Sequence, residues 1–287
     1  MTLAPTGPRQ PAQHRARKIT ATLCTYALAA LVALVFLAPL YLVLITSLKG
    51  TTDAKTMSFA LPKSWHIDNY LTVVQSGNAL QALGNSILIA FGVTAGTVLV
   101  CSLAAFVIAR RPGRVTGGVY SYLLSGLIAP FAFIPAIRML QEIGLGGSYL
   151  GLILTDIAVQ IPFITLTYVG FIRQLPREID EAALLDGAGP LRLFFTIIFP
   201  LLRPVSFTAL VLVFTYAWNE FQNVLFLIPD ADRWTMPMTV FTFQTTHSFD
   251  YGLVCANLVL TMLPVVAVYL AAQRYIVSGM VAGAVKS

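Results

Sequence analysis

Charged residues are scarce in this 287-residue chain, and that scarcity excludes an ordinary soluble globular domain. Only 10% of the residues are charged and 57% are hydrophobic, whereas a typical soluble domain carries about 25% charged residues. Three cysteines, Cys24, Cys101 and Cys255, all stand within apolar runs. Their spacing fits neither a disulfide framework nor a metal site. The composition instead indicates a membrane protein, in which the cysteines serve as small apolar packing residues.

The usual signatures of catalysis are also missing. The chain contains no Gly-x-x-x-x-Gly-Lys-Ser/Thr phosphate loop, and its nearest glycine-rich stretch, residues 144–147, has no lysine and is predicted to form a turn. The three histidines, His14, His66 and His247, are far apart in the sequence. We therefore expect no ATPase site, no metal site, no bound cofactor and no Ser-His-Asp arrangement in this chain.

Six apolar runs are each long enough to cross a bilayer, which takes about 20 helical residues. Helices are the only plausible form for spans of this length, because every backbone polar group in lipid needs a partner. The sequence thus predicts an all-α membrane protein with six transmembrane helices. They are placed at residues 19–45, 85–109, 119–140, 150–171, 205–226 and 252–275.

The basic residues predict the orientation of these spans. With the N-terminus inside, 13 of the 18 lysines and arginines fall in inner segments, as the positive-inside rule requires. Residues 1–18 then form a basic cytoplasmic tail. The apolar run that follows is longer than the roughly 7–15 apolar residues of a cleavable signal, so we interpret it as a retained anchor. The same distribution accounts for the net charge of +6 without nucleic acid.

A polar island between the fourth and fifth predicted spans is the most informative stretch. Residues 181–187 read Glu-Ala-Ala-Leu-Leu-Asp-Gly, and Ile197-Ile198-Phe199-Pro200 follows ten residues later. Acidic residues suit the first turn of a helix, Gly187 can end it in the left-handed conformation, and Pro190 can open a second helix. The pattern predicts two short helices joined by a sharp elbow, with a slim alanine face suited to a partner's cleft.

This stretch resembles the EAA loop of permease subunits in ATP-binding-cassette importers. The family pattern is Glu-Ala-Ala, three residues, Gly, nine residues, Ile, one residue, Leu-Pro, and here only Phe199 departs from it, replacing the leucine. An amphipathic helix lying on the membrane surface is the alternative. The resemblance implies a coupling loop at residues 174–200 with an ATPase docked on Glu181, Ala182, Ala183, Asp186, Gly187, Ile197 and Pro200.

Shorter tags extend the resemblance over most of the chain from residue 19. Trp218-Asn219-Glu220-Phe221 is similar to a segment of carbohydrate-type permeases, as is Leu61-Pro62 followed by Asn69-Tyr70. The stretches at 273–279 and 283–286 resemble the end of the six-span maltose-type subunit. The resemblance implies a type I importer permease fold, with residues 19–287 forming one permease domain.

The resemblance also implies partners and a location. The expected assembly contains a second, different permease, a pair of ABC ATPases that use ATP and Mg, and an extracytoplasmic substrate-binding protein. It would import a mono-, di- or oligosaccharide across the bacterial cytoplasmic membrane, with both termini of this chain in the cytoplasm. Polyamine, amino-acid or phosphodiester import is the alternative within the class, and a self-contained secondary transporter is the alternative outside it.

Ionisable residues within predicted spans are costly and commonly functional. Asp156 and Glu220 are such residues, and either could couple a secondary transporter. Carboxylate and amide groups bind sugar hydroxyls and aromatic rings stack on sugars, but the same polar groups also join neighbouring helices. The candidate substrate path comprises Asp156, Tyr216, Trp218, Asn219, Glu220 and Phe221.

Overall fold

The computed structural model describes residues 11–76, 78–243 and 250–284, and within these ranges all regular secondary structure is helical. The predicted all-α class is confirmed. Four helices are long and apolar enough to cross a membrane, and a bent pair raises the number to five if it counts as one span. The four lie at Thr22–Thr46 within α1 (Pro11–Thr46), in α4 (Ala79–Arg110), in α7 (Tyr149–Ile172) and at Tyr251–Ala271 within α13 (Tyr251–Ala284).

The third predicted span is not a single helix. It is divided between α5 (Arg114–Gly126) and α6 (Phe133–Glu142), with residues 127–132 between them. Pro130 lies in this interruption, where it removes a backbone donor and disfavours helical geometry at the residue before it. The predicted count of six continuous spans is therefore not confirmed.

The fifth predicted span is also interrupted. It consists of α11 (Arg203–Asn219) and α12 (Gln222–Leu227). Glu220 ends α11 in an extended conformation, with φ −66° and ψ 117°. On its N-terminal side, α11 meets the preceding helical stretch Pro190–Leu201 at 78°, and these two form the bent pair. Short 3₁₀ turns, Ala231–Arg233 and Met236–Phe243, then lead towards α13.

The centre of the molecule is α4, which packs along both α7 and α11. Two small residues make the approach to α7 close, because a Cβ at Gly92 would lie 2.9 Å from Ile153 and one at Gly96 would collide with Ile157. Small residues allow neighbouring membrane helices to pack in this way. Cys101 is buried in this region and, like Cys24 and Cys255, it is free.

The first span contacts little of the rest of the chain. In its most apolar stretch only 6% of the residues are buried, and it contacts mainly α13. Residues 11–18 of the predicted tail are helical and form the first turns of α1. The rest of that predicted tail, residues 1–10, lies outside the described residues, as do His247 and residues 285–287.

Between α1 and α4, the chain forms α2 (Thr51–Ala54) and α3 (Asp68–Ser76). The Asn69-Tyr70 pair fixes this connection to the end of α1. The Asn69 side-chain amide donates to the carbonyl oxygens of Ser47 and Lys49 at 2.9 and 3.0 Å. The hydroxyls of Tyr70 and Ser47 are 2.7 Å apart. Lys49 is fully buried and donates to the Ser58 carbonyl at 2.6 Å.

Candidate functional site

The polar island folds as the sequence predicts, into two short helical stretches around an elbow. The first is α8 (Glu178–Leu185), with Glu178, Asp180 and Glu181 in its first turn. The second begins at Pro190 and runs through α9 (Pro190–Arg192), the π-helical Leu193–Ile198 and α10 (Phe199–Leu201). We call residues 178–201 the elbow segment. It lies between α7 and α11, and its second stretch is the first half of the bent pair.

Gly187 forms the elbow. Its φ is +75°, a left-handed value that glycine adopts without steric cost. Its N–H donates to the Leu184 carbonyl at 3.0 Å, and the N–H of Ala188 donates to the Ala183 carbonyl at 3.0 Å. These two bonds form a Schellman motif, which satisfies carbonyls at the end of α8. A Cβ at Gly187 would meet nothing within 4 Å, so conformation, and not crowding, requires glycine here.

The predicted slim alanine face is divided between two sides of α8. Ala183 is buried against the body of the protein, while Ala182, Glu181 and Asp186 are exposed. The sequence reasoning did not single out the exposed leucines beside them. Leu185 is 89% exposed, and Leu184 and Leu191 are also open to the surface. Together with Ala182, these leucines give the elbow an apolar outer surface next to its acidic residues.

The end of the elbow segment is an anchor in the core. Ile198 is fully buried, whereas Ile197 and Pro200 are partly buried. Phe199, which departs from the family pattern, packs on the buried ring of Phe194 with ring centroids 5.8 Å apart. Phe194 in turn packs on Phe106 of α4, with ring centroids 5.4 Å apart. The aromatic replacement thus fits the packing of the π-helical stretch.

A largely buried ion pair joins the elbow segment to α4. Arg110 Nε lies 2.6 Å from Asp180 Oδ2, and the same guanidinium donates through Nη1 to the Leu175 carbonyl at 3.2 Å. Burial raises the pKa of the Asp180 carboxyl above its ordinary value, although the neighbouring Arg110 and Arg177 oppose that rise. A cavity of about 420 Å³ opens beside the pair, between α4, α8 and the start of the second helical stretch.

A second polar group lies within the helix bundle, where α11 gives way to α12. Asn223, which the sequence reasoning did not single out, is its centre. Its side-chain amide donates to Asp156 Oδ1 at 2.6 Å, and its backbone N–H donates to Glu220 Oε1 at 2.7 Å. The Tyr216 hydroxyl is 3.5 Å from the same amide. The structure therefore brings three of the predicted path residues together around one asparagine in an apolar span.

The other predicted path residues lie elsewhere. Asn219 and Phe221 line a cavity of about 560 Å³ whose remaining wall is largely α13, including Thr261 and Val265. Trp218 is buried and does not line this cavity, and its indole N–H donates to the Thr261 carbonyl at 3.0 Å. In this conformation Trp218 joins α11 to α13, while Asn219 and Phe221 present an amide and a ring to the cavity.

The glycine-rich stretch between α6 and α7 forms a turn. Gly144 and Gly147 have positive φ values of 73° and 69° between α6 and α7, which confirms the predicted turn. Within the described ranges, no three His, Cys, Asp or Glu side chains are grouped so that they could hold a metal ion.

Comparison with known protein families gives a match over nearly the whole chain. Residues 12–281 match the family described as "Binding-protein-dependent transport system inner membrane component". The chain is similar to the melibiose/raffinose/stachyose import permease protein MelC of Bacillus subtilis. The two are 33% identical over 266 residues, which cover 90% of this chain and 95% of MelC.

Two further relatives come from different organisms. The diacetylchitobiose uptake system permease protein NgcG of Streptomyces coelicolor is 33% identical over 258 residues, covering 88% of this chain and 85% of NgcG. The trehalose/maltose transport system permease protein MalG of Thermococcus litoralis is 33% identical over 226 residues, covering 77% of this chain and 81% of MalG.

A solved structure shares the fold. A chain of a bacterial ABC transporter involved in the import of the acidic polysaccharide alginate superposes with a TM-score of 0.78. The alignment covers 95% of this chain and 99% of that chain. Sequence identity is 18%, so this likeness concerns the fold alone.

Proposed function

This chain belongs to the family of binding-protein-dependent transport system inner membrane components, and on that premise we propose how it works within a sugar importer. It is a multi-pass membrane permease of a binding-protein-dependent sugar importer of the ABC class. MelC, NgcG and MalG are named for the import of oligosaccharides, which favours a sugar over polyamine, amino-acid or phosphodiester substrates. The family also favours an importer over a self-contained secondary transporter.

We infer that a separate ATPase pair, using ATP and Mg, docks on the elbow segment. The observation that carries this inference is the exposed apolar surface of Leu184, Leu185 and Leu191 beside the carboxylates of Glu181 and Asp186. Exposed apolar patches rimmed by charge are typical of protein interaction sites. The elbow lies between two apolar spans, so a partner seated there is close to the helices that must move.

The route from the ATPase to the translocation path follows the chain. Movement of α8 would act through the anchored π-helical stretch and α10 on α11, which meets the stretch Pro190–Leu201 at 78°. From there α11 leads to the break at Glu220, where Asn223 and Asp156 connect it to α7. Such a chain of rigid helices with one bend and one break suits a rigid-body switch between inward-facing and outward-facing states.

The sugar would contact the surface that Asn219 and Phe221 present to their cavity. An amide can exchange hydrogen bonds with sugar hydroxyls, and an aromatic ring can cover the apolar face of a sugar. A second, different permease would complete the path from the other side. Asp156, Tyr216 and Glu220 act indirectly in this proposal, because they hold the helix break on which Asn219 and Phe221 lie. Trp218 contributes by fixing α11 to α13.

The proposed topology places the elbow segment and both termini in the cytoplasm. The excess of basic residues in the predicted inner segments supports this orientation. Six crossings follow if α5 and α6 form one broken span and α11 and α12 form another. An extracytoplasmic binding protein would then deliver sugar to the opposite face.

The docking proposal is tested by placing a charge in the exposed leucine patch. We expect Leu185→Asp to leave membrane insertion intact and to reduce co-purification of the ATPase by roughly tenfold, since a truncated or charged interface anchor typically costs about 1–2 kcal/mol. Glu181→Lys should act in the same direction. Leu61→Asp is the matched control, because Leu61 is also exposed but lies in the connection predicted outside. Full ATPase recovery with Leu185→Asp would show that this patch is not the docking site.

A further inference from the structure

We propose that Arg110 is a positioning residue that ties the elbow segment to the central helix α4, and that this tie transmits ATPase movement to the spans. The inference rests on the docking proposed above and concerns what happens after docking. It assigns a coupling role to a residue outside the EAA pattern, at the last position of a transmembrane helix.

The geometry of the pair is unusual within this chain. Its side chains are only 10% and 14% exposed, whereas in the other two ion pairs between described residues every side chain is at least 38% exposed. Exposed ion pairs contribute little because water competes for both partners. Arg110 and Asp180 are less exposed to that competition, and the attraction between opposite charges is stronger in such surroundings than in bulk water.

One guanidinium restrains two consecutive pieces of chain. Arg110 Nη1 binds the carbonyl of Leu175 in the connection after α7, and Nε faces the carboxylate of Asp180 in the first turn of α8. The planar fork of arginine suits two acceptors at fixed positions, and lysine cannot reproduce it. The start of α8 is therefore held at a defined distance from the end of α4.

The apolar contacts of α8 cannot provide this restraint alone. Ala183 is its one buried side chain, and Ile179 is partly buried. In contrast, α4 packs along α7 and α11 for much of its length. A displacement of α8 would consequently reach the centre of the bundle by two routes, along the chain through the π-helical stretch and across the Arg110–Asp180 contact.

The test compares variants of this chain in the assembled importer. Each variant is co-expressed with the partner permease, the ATPase and the binding protein, and the complex is reconstituted in lipid nanodiscs. Single substitutions leave a buried charge unpaired and can disturb folding. The informative variants are therefore the neutral double change Arg110→Gln/Asp180→Asn and the reversed pair Arg110→Asp/Asp180→Arg. Arg110→Lys keeps the charge and removes the fork. Arg114→Gln, an exposed arginine at the start of α5, is the control.

The readout is the ratio of ATP hydrolysis with sugar-loaded binding protein to basal hydrolysis. We expect the neutral double variant to retain its ATPase while this ratio falls roughly 2- to 30-fold, the range found for residues that couple distant sites. The reversed pair should recover part of the lost stimulation. The ratio for Arg110→Lys should lie between those of the neutral double variant and the wild type, and the ratio for Arg114→Gln should equal that of the wild type.

Two results would overturn the inference. A wild-type ratio in the neutral double variant would show that the contact transmits nothing, and loss of assembly in parallel with loss of stimulation would show that it is only structural. Failure of the wild-type chain to retain any ATPase is a different result. It would refute the docking proposal itself and remove the basis for this one.

Discussion

The side-chain amide of Asn223 donates to the buried carboxylate of Asp156 at 2.6 Å, and this bond ties α12 to α7 just beyond the point where the fifth predicted span breaks. The backbone N–H of the same asparagine donates to Glu220 Oε1 at 2.7 Å. No proline occurs between residues 205 and 228, so the break does not have the usual cause of a sharp kink. Side-chain hydrogen bonds stabilise it instead.

Removing the asparagine amide should destabilise the bundle. Asn223→Leu leaves Asp156 buried without its donor, and such an unsatisfied group typically costs about 1–3 kcal/mol. We expect a lower thermal unfolding temperature in detergent, followed by weaker sugar uptake in cells. Asn219→Leu is the control for the unfolding temperature alone, because Asn219 is exposed and donates within its own helix, to the Thr215 carbonyl. Equal unfolding temperatures for the two variants would contradict the assigned role of Asn223.

The elbow provides a test of backbone conformation. Gly187→Val forces a β-branched residue into a left-handed conformation, at a cost of about 1–3 kcal/mol, and should misplace α8 and lower ATPase-driven uptake. Gly189 lies two residues away in equally open space, but its φ is −69°. Gly189→Val should therefore retain most of the uptake. Similar losses in both variants would show that side-chain bulk matters here and that the positive φ does not.

The close packing of α4 on α7 can be examined with a pair of glycines in one helix. Gly96→Leu should destabilise the permease by about 1–3 kcal/mol, because the added side chain meets Ile157 and overpacks a tight contact. Gly84→Leu meets nothing within 4 Å of its Cβ. The measurement is the thermal unfolding temperature of each purified variant. A drop for Gly84→Leu as large as that for Gly96→Leu would argue against a specific α4–α7 contact.

Orientation can be tested by cysteine labelling in intact cells, after the three native cysteines are replaced by alanine. A membrane-impermeant thiol reagent should label cysteines introduced at Lys55 and Asp232. Positions Arg111 and Glu181 should be labelled only after the membrane is opened, since the positive-inside rule places them in the cytoplasm. Labelling at position 181 from outside would place the elbow segment on the wrong side for an ATPase.

Much of the elbow segment could be predicted because its signals are local. The acidic first turn, Gly187 and Pro190 act through neighbouring backbone groups, and the structure has both helical stretches and the left-handed glycine. The division of the alanine face was not predicted. Whether Ala182 or Ala183 is buried depends on how α8 lies against the rest of the protein, and the sequence of α8 does not contain that information.

The predicted spans show the same contrast. Runs of apolar residues were enough to locate α1, α4, α7 and α13, because helix formation in lipid depends mainly on length and hydropathy. The third and fifth spans were also located, but their interruptions were not predicted. Pro130 is a local signal for the interruption between α5 and α6. The break at Glu220 depends on Asp156 in another helix and has no comparable local signal.

The sequence alone was enough to predict the helical class, the approximate position of most spans and the helix–elbow–helix form of the elbow segment. Each of these follows from interactions between residues that are close along the chain. The pairing of the buried polar residues, Asp156 with Asn223 and Arg110 with Asp180, became visible only in the folded molecule. These contacts join residues far apart in sequence, and they form because packing α4 against α7 and α11 buries polar groups that must then find partners.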